Sequence, residues 1–154
     1  MTTFEELLAR LTDADVAYAL VGGLACALNG YPRATEDVDI VIAADAANVE
    51  RLLTVLRGFG EGHASELTVE DFPVEPGAIR LVEDFPVDIF TEIGGGTYSA
   101  WLPHLRWFER GRVRIPFLDA EALIAMKSQS VRSKDQEDVV VLRRMAAAAG
   151  SAKS

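Results

Sequence analysis

Three aspartates in apolar surroundings are the residues of this sequence best suited to chemistry. Asp37 and Asp39 lie two residues apart in DVDIVI, a segment that alternates and then becomes wholly apolar, which predicts a strand. Residues two apart on a strand share a face. Asp88 lies in FPVDIF, a second strand candidate that could present its carboxylate to the other two. Two acids on a strand also fit a solvated face, and the apolar setting of Asp88 favours a functional site.

Carboxylates gathered in this way repel one another unless a cation lies between them, and their oxygens are the ligands that Mg²⁺ prefers. Three carboxylates can hold two divalent ions about 3.5–4 Å apart, which is the arrangement used for in-line phosphoryl or nucleotidyl displacement. We therefore predict that Asp37, Asp39 and Asp88 are metal ligands and catalytic residues, with Mg²⁺ or Mn²⁺ as the ions. One of the aspartates would also accept the proton of an attacking hydroxyl.

A Gly-Gly pair precedes the aspartates. Gly22 and Gly23 separate a short apolar strand candidate, Ala17–Val21, from a stretch of helix formers, Leu24–Leu28. Glycines allow a backbone to approach phosphates closely, and the start of a helix supplies N–H donors for them. Taken alone the pair indicates only a turn; followed by the aspartate strand, it indicates a phosphate-binding turn.

The elements that must position these residues follow from hydrophobic periodicity and cap residues. The order predicts an α/β fold of the mixed α+β kind, with a mixed β-sheet flanked by helices and further helices at the C-terminus. The predicted helices are 3–14, 24–28, a helix from the Asp45 cap to about 57, 98–105, a helix from the Asp119 cap to about 129, and 133–148. The predicted strands are 17–21, 37–42, 78–82, 86–90 and 112–117, the last with Pro116 favouring a sheet edge or strand end, and 58–78 is expected to be irregular.

This pattern resembles the nucleotidyltransferase superfamily related to DNA polymerase β, in which a strand, a Gly-Gly or Gly-Ser turn and a helix precede an Asp-x-Asp strand, and a later strand carries a third aspartate. The resemblance spans residues 17–145. It implies transfer of a nucleoside monophosphate from an NTP to an acceptor hydroxyl, RNA such as tRNA among the acceptors. Many members carry serine where this chain has Gly23. A module that binds a nucleotide or a partner without turnover is therefore the alternative.

The segment GGLACALNGYPRATEDVDI is similar to a small bacterial branch that includes AbiEii-type toxins of type IV toxin–antitoxin systems. That branch shows Arg-x-Thr-x-Asp-hydrophobic-Asp, matched here by Arg33, Thr35, Asp37 and Asp39, and a late lysine, matched by Lys127. A further Lys-Asp-x-x-Asp matches Lys134, Asp135 and Asp138. The resemblance implies that Gly22, Gly23 and Lys127 hold the triphosphate, that Arg33 and Thr35 lie near phosphate or acceptor, and that an antitoxin protein is a partner.

The charge balance limits the partners. The 154 residues include 24 acids and 15 Lys plus Arg, a formal net charge of −9, which argues against broad non-specific binding of nucleic acid. A local exception is the arginine patch, which consists of Arg106, Arg110, Arg112 and Arg114 around Trp107. It predicts either solvated surface charge or a platform on which an RNA acceptor could stack.

The remaining features indicate a single globular unit. Cys26 is the only cysteine, which excludes an intramolecular disulfide and predicts a small buried residue. The N-terminus lacks the pattern of a signal peptide, and no uncharged stretch is long enough to span a membrane. We expect one domain over residues 1–150 with a frayed tail over 151–154, a cytoplasmic location, and a monomer or homodimer.

Overall fold

A mixed β-sheet of six strands organises the chain, as seen in a computed structural model that describes residues 3–31 and 35–127. The strands are β1 (Tyr18–Val21), β2 (Val38–Ile42), β3 (Ile79–Val82), β4 (Pro86–Phe90), β5 (Glu92–Ile93), β6 (Gly96–Thr97), β7 (Leu105–Arg110) and β8 (Val113–Leu118). The helices are α1 (Thr3–Asp13), α2 (Gly22–Leu28), α3 (Ala46–Arg57), α4 (Tyr98–Trp101) and α5 (Ala120–Lys127), with short 3₁₀ turns at His63–Glu66, Val69–Asp71 and Leu102–His104.

The spatial order of the sheet is β3-β4-β2-β1-β8-β7, and β5 with β6 forms a separate small hairpin. The pairs β2–β4 and β1–β8 are parallel, whereas β1–β2, β3–β4 and β7–β8 are antiparallel. The predicted class, a mixed sheet flanked by helices, is confirmed. The single-domain boundary stays a prediction, and the helix expected at 133–148 lies outside the described residues.

Helices cover both faces of the sheet. The Tyr18 hydroxyl donates to the Leu8 carbonyl at 2.9 Å and lies 2.9 Å from the Thr12 hydroxyl, so this face of β1 packs on α1. Val21, three residues further along, points to the opposite face, on the side of α2. Cys26 on α2 is fully buried, as expected for a small apolar residue.

Most predicted elements form where periodicity and caps placed them. The Asp45 side chain accepts a hydrogen bond from the Asn48 backbone N–H at 3.1 Å, which begins α3 as expected, and Gly58 ends it. The hairpin of β3 and β4 is also confirmed. The segment 58–78, which was expected to be irregular, contains two short 3₁₀ turns.

The prediction for residues 98–117 is partly wrong. The α-helix ends at Trp101 rather than at 105, and residues 105–110 form β7, a strand that was not predicted. Gly111, with φ of +60°, opens a two-residue turn to β8, the connection typical of a tight hairpin. Strand β7 is the edge of the sheet, and β8 lies between β7 and β1. Pro116 therefore lies in an interior strand, next to Phe117, which pairs with Leu20 of β1.

Asn48 ties the two central strands to α3. Its side-chain amide donates to the carbonyls of Ala17 at 3.0 Å and Ala43 at 2.8 Å, and its oxygen accepts from the Ala17 N–H at 2.7 Å. The Asn48 side chain is fully buried, so its amide group must find its hydrogen-bond partners within the protein. A buried group without a partner costs about 1–3 kcal/mol, so this side chain is required for stability rather than for chemistry.

We predict that Asn48→Ala lowers the free energy of unfolding by about 2–3 kcal/mol, because the Ala17 N–H and the Ala43 carbonyl lose the Asn48 amide, while the Ala17 carbonyl still accepts from the Ala43 N–H. Urea denaturation followed by circular dichroism measures the change. Thr54→Ala, in the same helix but with an exposed hydroxyl bonded only to the Glu50 carbonyl, is the matched control and should change stability by less than about 0.5 kcal/mol. Equal effects of the two substitutions would contradict this role.

Candidate active site

The strand register places two of the three predicted aspartates side by side. Asp39 on β2 lies directly opposite Asp88 on β4 in the parallel pair. On the other side of β2, Asp39 lies opposite Val21, the last residue of β1. Asp37 precedes β2 by one residue and, two positions from Asp39, lies on the same face. The structure therefore brings the predicted acids to one end of the sheet, on the side of α2.

Gly22 shapes the turn beside these acids. Its φ is +66°, a left-handed conformation that favours glycine. A Cβ atom at this position would lie 2.2 Å from Oδ2 of Asp39 and 2.9 Å from its carboxyl carbon. The predicted turn between strand and helix is thus confirmed, and it is a glycine turn because the Asp39 carboxylate occupies the space of a side chain. Gly23 follows with helical backbone inside α2.

Arg80 is a member of the site that sequence reasoning missed. On β3 it lies opposite Asp88, and its Nε donates to Asp88 Oδ1 at 3.0 Å. Its Nη2 donates both to Asp88 Oδ2 at 3.2 Å and to Asp37 Oδ2 at 3.1 Å. One guanidinium thus bridges two aspartates on different strands. The signal was the hairpin itself: pairing Val82 with Pro86 aligns Arg80 with Asp88.

The electrostatics of the site centre on Asp39. Burial, followed by the neighbouring Asp88 and Asp37 and a hydrogen bond between the Asp39 and Asp88 carboxyls, raises the pKa of Asp39 from 3.8 to about 7. Arg80 acts in the opposite direction. Close carboxylates in a partly dry site resist full ionisation, because each added charge is repelled by the others. A cation that binds there would relieve this cost.

The three carboxylates are of the kind that Mg²⁺ or Mn²⁺ prefers, although their oxygens do not all lie within 4.8 Å of one another in this structure. The Asp88 side chain is 13% exposed and that of Asp37 is 38% exposed, so ligands from the strands form a half-open site. The guanidinium of Arg80, rather than close contact among all three acids, links Asp37 to Asp88.

A second group of ligand-type side chains lies at the same end of the sheet, next to β8. Donor atoms of His104, Asp119 and Glu121 lie within 4.8 Å of one another, the one such trio among residues 3–31 and 35–127. Asp119 is already engaged there: it accepts from the Ala122 N–H at 2.9 Å as the cap of α5, lies 3.1 Å from His104 Nδ1 and pairs with Arg106 at 3.2 Å. This network explains the trio as a structural cap.

The remaining predicted site residues lie outside the group formed by Asp37, Asp39, Asp88 and Gly22, or outside the described part of the chain. The Thr35 hydroxyl donates to the Asp37 carbonyl at 3.2 Å, so it braces the segment that leads into β2. Lys127 is the last residue of α5, whose body packs against α2. Four predicted residues lie outside the described part of the chain, namely Arg33, Lys134, Asp135 and Asp138.

The structure does not gather the arginine patch into one surface. Arg106 and Arg110 lie four residues apart on β7 and therefore share one face of the β7–β8 hairpin. On that face Arg106 pairs with Asp119, and Arg110 pairs with Glu5 on α1. Arg114 lies on the other face, bonded to Glu109 at 3.0 Å and stacked 4.6 Å from the centre of the Trp107 ring. These acidic partners offset the positive charge, so the solvated-charge alternative describes the patch better than a platform for RNA. Within the described residues, no helix has the length and apolar character needed to cross a bilayer.

Comparison with solved structures identifies the architecture. The lincosamide antibiotic adenylyltransferase LnuA, in its lincomycin-bound crystal structure, superposes with a TM-score of 0.60 at 19% identity, covering 93% of this chain and 96% of that one. The chain has the nucleotidyltransferase fold. A Thermotoga maritima protein assigned as a nucleotidyltransferase matches with a TM-score of 0.56 at 17% identity, over 92% of this chain and 88% of its own.

An antigenic nucleotidyltransferase-like protein from Paracoccidioides brasiliensis matches with a TM-score of 0.55 at 20% identity, over 90% of this chain and 72% of its own. No protein-family model matches the chain, and no curated protein sequence matches it either. At these identities the likeness establishes the fold, and this is the fold that the resemblance in the motifs implied. The AbiEii-type branch stays a prediction.

We predict that Gly22→Ala weakens divalent-metal binding at least about tenfold, because the new Cβ would overlap the Asp39 carboxylate and the left-handed turn disfavours any side chain. Titration with Mn²⁺, followed by electron paramagnetic resonance of the free ion, gives the affinity. Gly23→Ala is the matched control, since the helical backbone of Gly23 accepts alanine. Unchanged Mn²⁺ affinity in Gly22→Ala would contradict this description of the turn.

The raised pKa of Asp39 predicts a pH-dependent stability in chelator. Because the folded chain holds the proton more tightly than the unfolded chain, this contribution is fully present below about pH 4 and is lost as the pH rises through about 7. Between pH 5 and pH 8 the wild type should therefore lose about 2 kcal/mol more unfolding free energy than Asp39→Asn. Urea denaturation of both proteins at the two pH values measures the difference, and parallel pH profiles would refute the assignment.

Proposed function

We propose that this protein is a metal-dependent nucleotidyltransferase that moves a nucleoside monophosphate from an NTP to an acceptor hydroxyl and releases pyrophosphate. The observation that carries the proposal is the pairing of Asp39 with Asp88 on adjacent strands, with the Gly22 turn packed against Asp39. The nucleotidyltransferase fold, found over nine-tenths of the chain, supports the same conclusion. Transfer of label from an α-labelled NTP to an acceptor distinguishes a transferase from a binding module.

The proposal assigns the residues of the site to metal binding or to triphosphate binding. Asp37 and Asp39 would hold two Mg²⁺ or Mn²⁺ ions, and Asp88 would complete one of the two sites. Bound ions would neutralise the phosphate charge and polarise the reacting oxygens. Gly22 and Gly23 leave the backbone beside Asp39 free of side chains, so their N–H groups can donate to the triphosphate. Lys127, at the end of α5, is proposed to supply a further positive charge to the triphosphate, and Arg33 and Thr35 to lie near phosphate or acceptor.

In the proposed step the acceptor oxygen forms a bond to the α-phosphorus of the NTP. The bond from that phosphorus to the bridging oxygen of the β-phosphate breaks, and pyrophosphate leaves with the electron pair. Asp88 accepts the proton of the acceptor hydroxyl, because it is a carboxylate beside the ligand Asp39 and is held in place by its strand. Positioning and electrostatics supply most of the rate in such transfers.

We propose a small hydroxyl-bearing molecule as the acceptor in preference to RNA. The net charge of −9 opposes binding of a polyanion, and three of the four arginines of the patch pair with Asp119, Glu5 and Glu109. LnuA, which has a similar fold over nearly its whole length, is a lincosamide adenylyltransferase and was solved with lincomycin bound. The toxin role and the antitoxin partner rest on sequence resemblance and stay predictions.

We predict that incubation with Mg²⁺ and α-labelled NTPs transfers label to an acceptor from a panel of small alcohols, lincomycin, tRNA and total RNA. Asp39→Asn and Asp88→Asn should each lower this transfer at least about a thousandfold, since each removes a metal ligand. Asp84→Asn, which makes the same chemical change at the exposed turn of the β3–β4 hairpin, is the matched control. Retained transfer in Asp39→Asn would overturn the site, and Mg²⁺-dependent NTP binding without transfer would favour the binding module.

A further inference from the structure

Arg80 occupies the oxygens that a metal ion would need. Its guanidinium contacts both carboxylate oxygens of Asp88, at 3.0 and 3.2 Å, and one oxygen of Asp37, at 3.1 Å. A bidentate pair of this kind is among the stronger hydrogen-bonded contacts in proteins. Two of the three predicted ligands are therefore held by a cation that belongs to the chain itself.

The charges explain why a resident cation is present. Three ionised aspartates at one end of the sheet would carry −3, and Asp39 lies directly opposite Asp88 in the pairing of β2 with β4. The guanidinium reduces that charge to −2 and spans the gap between Asp37 and Asp88. Without it the carboxylates would repel one another in the metal-free chain, and the half-buried strand ends that carry them would be destabilised.

The surroundings of Arg80 allow it to leave. Strand β3 is the edge of the sheet, and the Arg80 side chain is 53% exposed, whereas the side chain of Asp88 is only 13% exposed. The aspartates are thus fixed by the sheet, while a long side chain at its margin can turn into water with little loss of packing. A divalent ion and a guanidinium on the same oxygens repel each other, so the two are alternatives.

We propose that Arg80 is an internal counter-ion that holds Asp37 and Asp88 in place in the metal-free protein and is displaced from them when divalent metal binds. Arg80 is therefore a positioning residue. The net affinity for metal depends on the difference between the free energies with which the metal ion and the guanidinium bind the same carboxylates. The inference rests on the metal site of the proposed function. It concerns how strongly metal binds and is independent of which acceptor is used.

The test compares Arg80→Gln with Arg114→Gln in the full chain. Arg114 is the matched control because its side chain is 54% exposed against 53% for Arg80, because it has a carboxylate partner, Glu109, and because it lies in the hairpin at the opposite edge of the sheet. Mn²⁺ affinity is measured by electron paramagnetic resonance, and thermal stability is measured in chelator. We expect Arg80→Gln to bind Mn²⁺ roughly tenfold more tightly than the wild type and to melt at a lower temperature without metal. Arg114→Gln should bind Mn²⁺ like the wild type.

Two further variants separate the outcomes. Arg80→Lys keeps the charge but loses the bidentate contact, so it should bind Mn²⁺ with an affinity between those of the wild type and Arg80→Gln, and it also serves if Arg80→Gln folds poorly. Affinity in Arg80→Gln that equals or falls below that of Arg114→Gln overturns the inference. If Asp39→Asn retains the wild-type affinity, or if the wild type binds no Mn²⁺, the metal site of the proposed function fails as well. Loss of binding in Asp39→Asn with no gain in Arg80→Gln defeats only the role of Arg80.

Discussion

Asp39 and Asp88 repel each other across adjacent parallel strands, and the local structure around them compensates for that repulsion. The sheet register leaves them no freedom to separate, because β2 and β4 pair from Val38 to Val41. Three features lower the cost: Asp39 has a raised pKa, Arg80 bridges Asp88 to Asp37, and Gly22 leaves room for the Asp39 carboxylate. Each feature is costly or strained alone, and together they describe a site prepared for cations.

The rest of the fold supplies the rigidity that this arrangement needs. Apolar side chains bury both faces of β2, and the fully buried Asn48 fastens α3 to the strand ends at Ala17 and Ala43. On the acidic face, the end of β1 leads directly into α2, so the Gly22 turn is fixed between two packed elements. The acidic end of the sheet is therefore held in place by a packed core of apolar side chains.

Local patterns in the sequence predicted much of this, because most of the relevant elements are short-range. Caps and periodicity defined α1 and α3, and the alternation around Asp37, Asp39 and Asp88 identified the acids and their shared face. Arg80 escaped notice because its role depends on which residue it faces across a hairpin, and that is a property of register rather than of composition. Strand β7 was missed because an edge strand with exposed aromatics lacks a clear two-residue alternation, and the turn at Gly111 was the better signal.

The parallel pairing of β2 with β4 also determines when the acidic centre can come into being. Asp39 and Asp88 meet only after the chain between them, which includes α3 and β3, has crossed over and returned to the sheet. Closing so long a loop carries an entropy cost that local helices and hairpins do not have, so contacts of this kind form late in folding. A nascent chain that ends before β4 carries the Gly22 turn, Asp37 and Asp39 but not Asp88. The acidic centre is consequently a product of completed folding, and a chain released early from the ribosome does not contain it.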